Sequence, residues 1–306
     1  MGTPGFAVES LKALVENQFE VVAVVTMPDK PAGRGHKLQM SPVKEYALEK
    51  NIPVLQPEKL KNPEFIDALK SYNADLQIVV AFRMLPEVVW DMPRLGTFNL
   101  HASLLPQYRG AAPINWAIIH GEKVTGATSF FLTHEIDTGK IILQEKVDIL
   151  PDDDAGSVHD KLMELGGRLV VKTVRLIESG DCQALDQVEL LKDVSELRPA
   201  PKLFRDNCEI NWNQSTVQIH NFVRGLSPYP AAWCELKPEG VEEAIAYKIF
   251  KTKPETAIHD LLPGTILSDG KKYLKVASAD GFVEITELQA PGKKRMLTGD
   301  YLRGLR

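Results

Sequence analysis

Residues 99–106 read Asn99-Leu100-His101-Ala102-Ser103-Leu104-Leu105-Pro106, and Asp137-Thr138-Gly139 follows further along. These stretches offer an amide, an imidazole and a carboxylate without the spacing of a metal site. Such a set suits acyl transfer to an amine. The attack creates a tetrahedral oxyanion, and each donor aimed at that charge contributes roughly 3 to 4 kcal/mol to catalysis. Asn99 can donate through its amide, and His101 can donate when protonated. Asp137 would hold the imidazole and favour its charged form, or position a water that carries a proton from the attacking amine to the leaving nitrogen. No covalent intermediate is required. Taken singly, Asn99 reads as a cap, His101 as a structural histidine and Asp137 as a turn residue. Together with residues 103–106 they read as a reaction centre.

Strand periodicity is two, so Asn99 and His101 share one face of an extended segment and converge on one carbonyl. The elements that must hold that segment alternate along the chain. Residues 7–17 have helical periodicity, and residues 20–26 (EVVAVVT) form an apolar, β-branched run expected of a buried parallel strand. Helices over 42–51 and 63–72 alternate with strands over 52–55 and 76–81. A strand at 97–101 and a helix at 112–120 follow, then strands at 127–132 and 140–149 around Asp137-Thr138-Gly139, and a long helix at 158–180. This alternation is an α/β, doubly wound, Rossmann-like sheet. Gly2-Thr3-Pro4-Gly5 resembles the turn after a first strand, yet no strand precedes it. Such sheets ordinarily begin with a central strand, so the expectation is that the chain starts inside its true reading frame.

After about residue 190 the character changes. Arg198-Pro199-Ala200-Pro201-Lys202 reads as a linker. One helix over 215–225 and short strands over 231–236, 244–251, 264–267, 273–277 and 282–288 predict a small, OB-like β-barrel. The division expected is therefore a catalytic domain over 1–190, a linker over 191–201 and a C-terminal barrel over 202–306.

The chain has 306 residues, 44% hydrophobic and 25% charged, which is ordinary globular composition for two domains. No apolar run approaches the roughly 18 residues that span a membrane. Cys182, Cys208 and Cys234 form no close pair and no zinc spacing, so free thiols in a reducing cytosol are expected. The net charge of −5 is unevenly spread: residues 198–306 carry 16 Lys and Arg against 13 Asp and Glu. A tighter basic cluster, Lys30, Arg34, Lys37 and Lys44 against Asp29, occupies residues 28–44, which Pro28, Pro31, Gly33, Gly35 and Pro42 mark as a loop.

The strings MGTPGFAV, MPDKPAGRGHKL, SPVKEYA, NLHASLLPQYRGAAPINWAI and EIDTGKII, with APKLFRDNCEINW and FVRGLSPYPAAW near the end, span nearly the whole chain. On these strings the chain resembles the folate-dependent formyltransferases and, within them, the methionyl-tRNA formyltransferase family. The resemblance implies transfer of the formyl group of 10-formyltetrahydrofolate to the α-amino group of methionyl initiator tRNA. It implies catalytic roles for Asn99, His101 and Asp137. It further implies folate contacts from Phe82, Arg83, Met84 and Leu85 and from Ser103, Leu104, Leu105 and Pro106. Lys30, Arg34 and Lys37 would meet the tRNA, with Arg34 reaching its acceptor end. The barrel would add phosphate contacts through Lys248, Lys251, Lys271 and Lys272. Family members often carry Tyr-Gly where this chain has Phe82-Arg83. A metal-free, cytoplasmic monomer with no membrane partner is expected.

Three other readings compete. A formyltransferase acting on an amino sugar nucleotide or another small amine shares parts of the same strings, and independence of tRNA would reveal it. A nicotinamide dehydrogenase would also be α/β, but Gly2-Thr3-Pro4-Gly5-Phe6-Ala7 supplies no Gly-x-Gly-x-x-Gly, and no acidic ribose reader follows residues 20–26 in the expected register. A non-catalytic RNA binder would need neither Asn99, His101 nor Asp137.

Overall fold

The computed structural model describes residues 1–32, 37–191, 197–237 and 242–305, and its chain divides into two compact units. The first comprises residues 1–110, 126–147 and 159–199. The second comprises residues 111–125, 148–158 and 200–306.

In chain order the first stretch runs α1 (Gly5–Glu16), β1 (Val24–Val25), β2 (Lys30–Ala32), β3 (Lys37–Gln39), α2 (Pro42–Glu49), β4 (Val54–Leu55), α3 (Pro63–Ser71), β5 (Gln77–Val80), α4 (Glu87–Trp90) and β6 (Thr97–His101). Then come α5 (Pro113–Ile119), β7 (Val124–Phe131), β8 (Ile141–Asp148) and α6 (Ala155–Glu178). Local rules place the helix starts. Ser41 accepts the Lys44 amide at 3.1 Å and Asn62 accepts that of Glu64 at 3.1 Å, each ahead of a proline in the first turn, where the missing N–H costs nothing.

β5, β6, β7 and β8 form one sheet, with β6 parallel to β5 and antiparallel to β7. β1 pairs with β4 in a separate parallel ribbon. The apolar run at 20–26 therefore yields only two strand residues, since backbone bonds tie Val24 to Pro53 and Thr26 to Leu55 along one edge. The first residues bridge β1 and β5: the Gly2 amide donates to Val25 and the Val80 amide to Met1. Beside them lies a cavity of about 650 Å³, lined by Leu14, Val24, Leu69 and Ile78 together with Ser10 and Gln77 among others. The Met1 nitrogen lies 2.6 Å from the Ile78 carbonyl there.

The basic segment at 28–44 is not all loop. β2 and β3 pair antiparallel, Pro31 opposite Leu38, a place a two-stranded ribbon grants a proline because its outer edge needs no donor. Lys30 is exposed, Arg34 lies outside the described residues, and so does the Lys37 side chain. Lys44 is not free for phosphate, being paired with Asp29 at 2.6 Å; with the Gln56 amide, it holds that carboxyl below the usual range.

The second unit adds α7 (Thr216–Leu226), β9 (Ala232–Leu236), β10 (Ile245–Thr256), β11 (Ile266–Ser268), β12 (Leu274–Ala277), β13 (Gly281–Gln289), β14 (Met296–Leu297) and α8 (Thr298–Arg303). Its strands make a curled half-barrel in the order β11-β12-β13-β10-β9, with β14 on β13. α7 starts with a reciprocal capping box between Ser215 and Gln218. Its inner face, Ile219, Val223 and Leu226, packs into a core with Tyr247, Ile249, Leu274, Val283 and Ile285. Lys248, Lys251, Lys271 and Lys272 are exposed. Cys208 and Cys234 are buried free thiols, Cys182 is half-buried and free, and burial raises all three pKa values. Among the described residues no helix is long and apolar enough to cross a membrane.

Candidate active site

β6 builds one side of the site. Phe98 and Leu100 point to one face and are buried, while Asn99 and His101 share the other. Leu100 is seated because position 166 of α6 is glycine: a β-carbon there would lie 2.7 Å from the Leu100 side chain. Any larger residue would have to displace the Leu100 side chain, two residues along the strand from Phe98.

His101 is 7% exposed and stands edge-on to Phe130, with ring centres 6.5 Å apart. Its Nε2 lies 2.8 Å from the Tyr108 carbonyl. A carbonyl only accepts, so Nε2 carries the hydrogen, and the neutral ring keeps its lone pair on Nδ1. That nitrogen faces Asp137 Oδ2 at 3.8 Å. The gap exceeds a direct hydrogen bond. Asn99 is half-buried, and among the described residues its amide has no hydrogen-bond partner within the protein. The structure thus brings His101 and Asp137 together directly and sets Asn99 two residues from His101 on the same strand face.

Asp137 holds its position against a backbone preference. Its φ is 56°, a left-handed conformation that costs a residue with a β-carbon about 1 to 3 kcal/mol unless its surroundings over-determine it. The Gly110 amide donates to Oδ2 at 2.9 Å. The Gln187 side-chain amide donates to the main-chain carbonyls of Asp137 and Gly139 at 2.9 and 2.8 Å. Arg109 in turn donates to Gln187 Oε1 through Nε at 3.1 Å and Nη2 at 2.7 Å. Gly139 approaches too closely for a side chain, since a β-carbon would sit 1.7 Å from the Phe131 carbonyl.

The predicted folate residues fall into two groups. Ser103 is fully buried, with its hydroxyl donating to the Gln107 carbonyl at 2.7 Å. Leu105 and Pro106 are buried, and the Leu105 amide and carbonyl are held by Thr128 and Gln144. Leu104 is half-buried against Gly126. At residues 82–85 Met84 is 72% exposed, Leu85 is buried, and Phe82 and Arg83 are half-buried, with the Arg83 guanidinium turned onto the carbonyls of Pro57 and Glu58. Among the described residues the main-chain amides and carbonyls of 82–85 have no hydrogen-bond partner within the protein. They follow the carboxyl end of parallel strand β5, where ligands of such sheets bind.

Sequence reading missed Tyr108, Arg109, Gly110 and Gln187. The first three sit inside the SLLPQYRGAAP string, which marked the region without telling their separate contacts. Gln187 carried no signal, lying in a short 3-10 turn at Gln187–Leu190 beyond α6. Among the described residues no three His, Cys, Asp or Glu side chains gather as a metal site.

Comparison with known proteins places this geometry. The Formyl transferase family matches residues 1–174, and the Formyl transferase C-terminal domain matches residues 202–306. The methionyl-tRNA formyltransferase of Bacteroides fragilis is 61% identical over 305 residues, covering 99% of this chain and 93% of that one. That of Flavobacterium johnsoniae is 51% identical, covering 100% and 95%. Among solved structures, WlaRD, a sugar 3N-formyl transferase crystallised in the presence of dTDP and 5-N-formyl-THF, superposes with a TM-score of 0.65 at 21% identity, covering 96% of this chain and 97% of that one. That likeness carries the fold alone, whereas the sequence identities carry the family. The chain belongs to the methionyl-tRNA formyltransferase family.

Proposed function

We propose that this chain transfers the formyl group of 10-formyltetrahydrofolate to the α-amino group of methionine esterified to initiator tRNA. The observation that carries the reading is 61% identity along 99% of the chain with a relative of that name. In this reading the enzyme acts as a cytoplasmic monomer, where charged initiator tRNA and reduced folate are both supplied.

Asn99, whose amide has no competing partner, donates to the formyl oxygen as it gains charge. The free amine attacks the formyl carbon, forming the new C–N bond. Collapse of the tetrahedral intermediate breaks the bond to the folate nitrogen. The proton lost by the amine reaches that leaving nitrogen by way of His101 Nδ1 and Asp137, which stand 3.8 Å apart. The Tyr108 carbonyl keeps Nε2 protonated, so Nδ1 is the nitrogen left for this exchange. The unpartnered amides and carbonyls of residues 82–85 fit a pterin edge, which presents donors and acceptors side by side. In this proposal Lys30 and Lys37 meet tRNA phosphates and Arg34 reaches the acceptor end. The domain division at 1–190, 191–201 and 202–306 is kept as the working one.

The test is incubation with 10-formyltetrahydrofolate and either methionyl initiator tRNA or free methionine, with formyl-methionine as readout. Product with the charged tRNA only is the expected result. Product with neither, or with an amino sugar nucleotide instead, overturns the reading.

A further inference from the structure

The residues that face the reaction are held by residues that do not. Tyr108, Arg109 and Gly110 each make one hold: the Tyr108 carbonyl fixes the His101 ring, the Gly110 amide takes the Asp137 carboxylate, and the Arg109 guanidinium grips Gln187. Gln187 is 1% exposed, so an unmet amide there would be costly. Both its ends are engaged, the carbonyl with Arg109 and the NH2 with two main-chain carbonyls, and exchanging them would set donors against donors. Paired backbone bonds at 2.8 Å between Ile141 and Leu185 anchor the segment two residues before it.

Resting on the catalytic reading of Asp137, we propose that Gln187, oriented by Arg109, is a positioning residue that holds Asp137 in its left-handed conformation and so sets the carboxylate against His101 Nδ1. A single side-chain NH2 bridging the carbonyls of 137 and 139 fixes the curvature of the turn between them. Without it the turn relaxes toward a commoner backbone conformation, and the carboxylate swings off its 3.8 Å approach. Misplacement of a proton-handling group on that scale lowers the chemical step while substrate contacts elsewhere persist.

The test uses the full chain with Gln187→Met, which fills the volume but cannot donate, and Arg109→Lys, which keeps charge but loses the two-pronged grip. Expected for Gln187→Met is a fall in kcat of roughly 10- to 100-fold, with KM for both substrates changed less than about threefold. Arg109→Lys falls in the same direction by less. In an Asp137→Asn background, Gln187→Met lowers kcat no further. Unchanged kcat in both variants, or an equal loss in the Asp137→Asn background, overturns the inference. A fully active Asp137→Asn overturns instead the catalytic reading on which it rests. Thermal melts of each variant show whether lost kcat follows lost folding.

Discussion

Near the ends of β5 to β7 the first unit buries His101, Ser103, Thr128 and Gln187, each bonded to a carbonyl or hydroxyl, whereas the half-barrel of the second unit buries chiefly Ile, Leu and Val around Tyr247. Both interiors exclude water, but by different means. Hydrogen bonds are directional, so the first region fixes where a ring nitrogen or a carboxylate points, and every unmet partner there is costly. Apolar packing depends on volume and shape, so the second region tolerates reorientation but not voids. Substitutions near the site should therefore change activity before stability. Those in the half-barrel should do the reverse.

The largest effect is expected at the reacting groups. His101→Ala should lower kcat by about 10² to 10⁴ and Asn99→Ala by about 10² to 10³, with tRNA affinity measured by filter binding unchanged. A loss of tRNA affinity matching the loss of kcat would erase the proposed separation of binding from chemistry. Next comes the half-barrel core: Ile285→Ala, at 1% exposure, should cost about 2 to 5 kcal/mol by denaturant titration, with kcat of the folded fraction near the parent value. A kcat that collapses while stability holds would break the contrast.

The smallest effect is electrostatic. Arg295 grips Glu287 through bonds of 2.6 and 2.8 Å and holds its carboxyl below the usual range. A depressed acid contributes stability that is present above the unfolded carboxylate pKa, about 4.3, and is lost as pH falls through the folded value. The pair is partly exposed, so solvent limits it to about 0.2 to 1 kcal/mol. Glu287→Gln should be less stable than the parent by that amount at pH 7, and the difference should vanish as pH drops well below 4. A difference that persists at low pH would assign the effect to packing instead.

Much of the fold is legible because periodicity and punctuation are local. The helices at 42–49 and 63–71 lie where Ser41-Pro42 and Asn62-Pro63 announce them, and β6 occupies 97–101 as its alternation requires. The two-residue β1 and the β2–β3 ribbon depend on which backbone edge finds a partner, information that an apolar run or a proline cluster does not contain. β14, α4 and α8 are too short for periodicity to register.

The sequence by itself determined the family, through strings spread along nearly the whole chain, and singled out Asn99, His101 and Asp137 as candidates because their types suit the reaction. Only the tertiary structure decided how two of them face each other and what keeps them there. Gln187 lies 50 residues from Asp137 and 78 from Arg109, in a segment without pattern, and its four bonds exist only once the chain has closed on itself. Side-chain periodicity reports which face of an element is buried. It does not report which distant polar group completes a hydrogen bond, because that choice is made in space and not along the chain.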